Sequence, residues 1–138
     1  MKIYTSYSPE EIWQLYKDVG LVLRSGGNSK SPKLVKSTGV RPVDFKIIVG
    51  TDGKEYVWPD KTKGLSFATT IERLPNRSGK GGYIWAIPSR AKVPVDLVFN
   101  VADRDPTHIM LNVSRRMVMS EFIEKLQKLS TVMIRTNY

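Results

Sequence analysis

The chain has 138 residues, 41% of them hydrophobic, enough for one globular domain around a single core. It has no cysteine and one histidine, His108, which excludes disulfide frameworks, thiolate metal sites and multi-histidine zinc centres. The net charge of +9 points to an anionic partner (nucleic acid, a phosphate-bearing cofactor or an acidic protein), and no apolar run approaches the ~20 residues needed to span a bilayer.

The first dozen residues, MKIYTSYSPEEIW, lack the apolar stretch of a secretory signal, so action in a reducing, cytoplasmic compartment is expected. Ser8-Pro9-Glu10-Glu11 opens a helix: Ser8 caps, Pro9 suits the first turn and Glu11 completes a capping box. Ile12, Leu15, Tyr16 and Val19 continue at helical spacing until Gly20. Leu21 to Arg24 reads as a short buried strand. Residues 25–42 hold four serines, three glycines and two prolines and read as one long loop. From Arg24 to Lys46 six basic residues face Asp44 alone.

Phe45–Val49 and Glu55–Trp58 read as strands joined through a Thr51-Asp52-Gly53 hairpin. Leu65–Ala68 is a further strand, Thr70–Leu74 a helical turn and Asn76–Gly82 a basic loop. Tyr83–Ile87, Val95–Val101 and His108–Val113 follow as strands, the last after an Asp103-Arg104-Asp105-Pro106 turn. A helix from about Ser120 buries Phe122, Ile123, Leu126 and Leu129, and Thr131–Arg135 reads as an edge strand. About seven strands and two helices make a single α+β domain without repeats.

Phosphate-loop, nucleophile-elbow and paired-histidine motifs are missing. Three polar residues instead mark strands: Arg24 ends LVLR, Ser66 lies in GLSFA and His108 begins HIMLNV. Each alone has an ordinary structural explanation. Together, on strands that can be neighbours, they suggest a site.

Four blocks carry a resemblance that covers most of residues 20–130: "GLVLRSGG", "IIVGTDGKEYVWPDKTKGLSFATT", "YIWAIPSRAKVPVDLVF" and "THIMLNVSRRMVMSEFIEKL". Their order resembles the small ADP-ribosyltransferase-like toxins of the type VI secretion exported effector two family. The resemblance implies a split β-sandwich, two small packed sheets with NAD bent into a cleft lined by Arg24 and Ser66. It also implies an antibacterial toxin that transfers ADP-ribose to a macromolecular acceptor or cleaves NAD. Export through a contractile secretion system and a cognate immunity or antitoxin protein, acidic to match the +9 charge, complete the implied picture. Arg24 would anchor a phosphate or ribose, and Ser66 would let the flat nicotinamide ring lie close to its strand. Phe67, Tyr56 and Trp58 would complete the cofactor pocket. The third strand of the wider superfamily often carries a glutamate; here its ionisable side chain is His108, with Asp103, Asp105 and Glu121 nearby in sequence.

A reading from a different class is a basic toxin or regulator that binds RNA or DNA without NAD chemistry. Tyr83, Trp85 and Trp58 would then stack on bases, although core packing is the better account of Trp85.

Overall fold

A computed structural model of the chain describes residues 2–15, 21–27, 32, 34–35, 39–70, 83–89 and 91–136, with 21–27 described by their backbone alone. The capping box closes as its residues require. Glu11 N–H donates to Ser8 Oγ at 3.2 Å, and Ser8 N–H donates to Glu11 Oε1 at 2.8 Å. Helix α1 (Pro9–Leu15) thereby buries Ile12 completely and lays Trp13 against Phe99. The expected continuation to Gly20, the turn beyond Thr70 and the 76–82 loop lie outside the described residues.

Among the described residues ten strands follow the chain as β1 (Tyr4–Tyr7), β2 (Leu21–Gly27), β3 (Lys46–Val49), β4 (Glu55–Trp58) and β5 (Leu65–Ala68), then β6 (Tyr83–Pro88), β7 (Leu97–Ala102), β8 (Asp105–Val113), β9 (Met117–Val118) and β10 (Ile134–Arg135). A seven-stranded sheet runs in the order β1-β7-β8-β5-β2-β6-β10, and a three-stranded sheet in the order β3-β4-β9. Every described pairing is antiparallel. Among the described residues the result is α+β, mostly antiparallel sheet with two α-helices.

Several boundaries differ from the sequence expectation: β7 begins at Leu97 and not Val95, and β8 begins at Asp105, inside the expected Asp103-Arg104-Asp105-Pro106 turn. β2 runs on through Gly27, into what reads as loop. Met117-Val118, to which the sequence reading assigns no element, pairs as a short strand with Val57 and Tyr56. Helix α2 (Met119–Val132) continues through Ser130 and Thr131, whose hydroxyls donate back to the carbonyls of Gln127 and Lys128 at 2.6 Å each. Those bonds let a hydroxyl-rich end stay helical, so the edge strand begins only at Ile134.

Pleating separates two faces of the large sheet. Phe67, Phe99, Ile109 and Leu111 point to one side, where Phe122, Leu126 and Leu129 of α2 and Val57 and Met117 of the small sheet join the core. Ile123 at the edge of the helical stripe is half-buried. The other face carries Ser66, Met110 and His108 together with two buried asparagines, Asn100 and Asn112.

These asparagines hold the loop that links the sheets. Asn100 Nδ2 donates to the carbonyls of Asp60 and Lys63 at 3.1 and 3.0 Å, and Asn112 Nδ2 to the same two at 3.3 and 3.1 Å. Ser6 Oγ donates to Asn100 Oδ1, and Val113 N–H to Asn112 Oδ1, so both amide oxygens are also occupied. Asn112→Ala strips partners from a buried N–H and two loop carbonyls. It should cost about 2–3 kcal/mol in urea unfolding, well above an exposed-surface substitution; an unchanged midpoint would show that the clamp contributes nothing.

Candidate functional site around Ser66 and His108

The loop entering β5 is shaped by Asp60. Its carboxylate accepts from the Thr62 hydroxyl at 2.6 Å and the Thr62 N–H at 2.9 Å, while Lys63 N–H donates to the Asp60 carbonyl. The Thr62 hydroxyl is the main reason that the Asp60 carboxyl is held below the usual carboxylate range; Lys63 and Lys46 add to the effect. The loop ends on Gly64, at φ +153°. A Cβ there would lie 2.7 Å from the Leu111 carbonyl oxygen and 2.8 Å from Met110 Cβ. Only a residue without a side chain lets the loop lie this close on β8.

Ser66 follows two residues later, exposed, and opposite Met110 in the β5–β8 register. Two pairs further along, Ala68 stands opposite His108. Ser66 and His108 therefore share a face, and Ser66 Oγ lies 3.1 Å from His108 Nε2. With the ring protonated at Nδ1 the hydroxyl donates to Nε2; protonation at Nε2 reverses the donor.

The third marked residue lies on the next strand. β2 pairs with β5 through Leu23↔Ala68 and with β6 through Arg24↔Trp85. The strands of Arg24, Ser66 and His108 are thus consecutive in the sheet, β2-β5-β8. The residue of β2 in register with Ala68 is Leu23, however, so Arg24 falls at the alternate position and not on the face shared by Ser66 and His108, against the sequence expectation. The Arg24 side chain lies outside the description.

The remaining candidates go elsewhere. Phe67 is 1% exposed and meets Phe99 edge-on, on the core side of β5. It supports the site from behind and does not line it, because alternate residues of a strand face opposite ways. Tyr56 and Trp58 belong to the small sheet, beneath the guanidinium of Arg116. Trp85 is buried, as packing favours, while Tyr83 lies under Arg135. Asp103 ties down the start of β1, exchanging bonds with Ile3 through its carboxylate and its N–H. Glu121 binds Arg115 at 2.6 Å and lies near Lys125. Asp105 accepts from the Thr107 hydroxyl at the head of β8, three residues before His108.

The clamp residues Asn100 and Asn112 were not singled out from the sequence. A polar residue alternating with apolar ones in FNVA and LNV is the available signal, but it does not name the partner loop. Among the described residues no group of three or more His, Asp or Glu side chains comes together, and no helix is long and apolar enough to cross a membrane. No protein-family model, curated protein or solved structure gives a significant match to the chain.

The depressed Asp60 carboxyl carries a pH dependence. Because its folded-state value is below the unfolded one, its stabilisation is complete above about pH 4 and is lost as pH falls through the lower, folded value. Wild type should therefore be more stable than Asp60→Asn at neutral pH, with the gap closing in acid. A gap independent of pH would assign the effect to geometry alone.

Proposed function

We propose that the protein is an NAD-consuming, ADP-ribosyltransferase-like toxin whose reaction is centred on Ser66 and His108. That site lies on the face of the large sheet turned away from the small one and not in a cleft between the two sheets. The observation that supports this most is the contact of Ser66 Oγ with His108 Nε2 at 3.1 Å. The β5–β8 register, which puts both residues on one face of the sheet, adds to it. The donor set suits the substrate: a hydroxyl and an imidazole sit beside Met110 and Ala68 on one face of the sheet, matching a ribose hydroxyl and a flat aromatic amide.

NAD, when bound, supplies an anomeric ribose carbon from which nicotinamide departs as the carbon–nitrogen bond breaks. Ser66 is small enough for a flat ring to approach its strand. The His108 imidazole holds a ribose hydroxyl or takes the proton from the attacking water or acceptor, since imidazole exchanges protons near neutral pH. The barrier is lowered to the extent that these contacts strengthen as nicotinamide leaves. The +9 charge suits an acidic neutralising partner, whose association would be steered by it.

Purified protein incubated with NAD should release nicotinamide, and mass spectrometry of treated lysate should find ADP-ribose on a macromolecule or free in solution. Ser66→Ala and His108→Ala should each lower turnover by about one to two decades. For Ser66 and His108, which are not buried, the melting temperature should stay within a few degrees of the parent. A folded His108→Ala protein that turns over NAD at the parent rate would end this reading.

A further inference from the structure

Arg115 and Arg116 are adjacent in sequence but are used in different ways. Arg115 is tied up: its Nε meets Asp96 Oδ2 at 3.0 Å, its Nη2 meets Glu121 Oε2 at 2.6 Å and its Nη1 donates to the Arg116 carbonyl at 3.0 Å. Asp96 first and Glu121 second hold its guanidinium charged even more firmly than usual. This network fixes the backbone from which Arg116 projects. The Arg116 guanidinium lies 4.7 Å from the centre of the Tyr56 ring and 5.7 Å from that of Trp58. Among the described residues it makes no ion pair, so a cation already stacked on two aromatic rings keeps its N–H edges for a ligand.

The surroundings extend this into a surface. Lys46 is the β3 partner of Trp58, and Ile48 that of Tyr56; on the other side Val118 pairs with Tyr56. Arg116 directly precedes β9, so the same register sets it beside Trp58. Trp58 thus stands between two exposed cations on the outer face of the small sheet, with neighbouring strands about 4.8 Å apart. Tyr56 is fixed by its hydrogen bond to Asp52, which also raises its phenol above the ordinary value and keeps it protonated. Asp52 and Asp60, the nearby acids, are engaged by Tyr56 and Thr62.

We infer that this face, Lys46-Trp58-Arg116 with Tyr56, is a binding surface for single-stranded nucleic acid. Aromatic rings and an arginine plane present stacking surfaces that every base can use, and cations on the strands either side of Trp58 can neutralise phosphates flanking a stacked base. An acidic protein segment would use the cations but leave the rings without a planar partner. The site is separate from Ser66 and His108 and does not depend on NAD turnover.

Fluorescence anisotropy with a labelled 12-nucleotide single-stranded RNA of mixed sequence, and with its DNA counterpart, tests it on the full chain. Lys46→Gln/Arg116→Gln should weaken binding at least tenfold at 100 mM salt. It should also reduce the log–log salt slope by about 1.4, or ~0.7 for each cation removed. The control Lys2→Gln/Lys92→Gln, which removes the same charge from other exposed positions, should change neither much. Trp58→Leu should weaken binding while leaving the slope nearly intact, provided that its circular dichroism matches the parent. Equal losses in the two double variants would overturn the proposal in favour of diffuse charge. Absence of binding at 50 mM salt, or competition by oligoglutamate as effective as by unlabelled RNA, would also overturn it.

Discussion

Two backbone carbonyls, those of Asp60 and Lys63, are held by the side-chain amides of two buried asparagines, and much of the molecule depends on how they are satisfied. A loop carbonyl removed from water without a donor is costly. Asn100 and Asn112 supply four donor contacts from adjacent strands of the large sheet. The loop leaving the small sheet is thereby pinned across the face opposite the main core. Gly64 then has to pass against the Leu111 carbonyl, and β5 begins in the register that brings Ser66 beside His108. A polar clamp on one face, rather than the apolar core on the other, ties the two sheets to the candidate site.

Local chemistry was readable wherever it needed only neighbours in sequence. The Ser8–Glu11 box, the Thr51-Asp52-Gly53 hairpin with Gly53 at φ +80°, and the bounds of β5 follow from capping, turn geometry and propensity. Strands that exist only through pairing were not readable. YTSY has little apolar content and is a strand because Tyr4 to Tyr7 pair with Ala102 to Phe99; Met117-Val118 is too short to announce itself. Placing Phe67 in the same pocket as Ser66 conflicts with period-two alternation, which the sequence already displays. The asparagine clamp is the opposite case: its residues are visible, but the loop that they bind is set by the tertiary fold.

The positive charge divides into groups with different tasks. Arg115, Lys125 and Lys128 pair with Asp96, Glu121 and Glu124 and help to hold α2 and the chain before it. Such exposed pairs contribute little stability individually, but the Arg115 cluster orients the next residue. Lys46 and Arg116 flank aromatic rings instead. An excess of cations that is spent partly on structure and partly on an aromatic sheet face gives the +9 charge two distinct outlets, neither requiring the Ser66–His108 face.

The central claim is that Ser66 and His108 form the reactive face for NAD, and the single histidine gives a direct probe of it. In protein labelled with 15N at histidine, the ring signals can arise only from His108. Addition of NAD should move them in a saturable way, and Ser66→Ala should shift them before any ligand is added because the hydroxyl at 3.1 Å is lost. Ring signals that stay fixed through millimolar NAD in the folded protein would contradict the account.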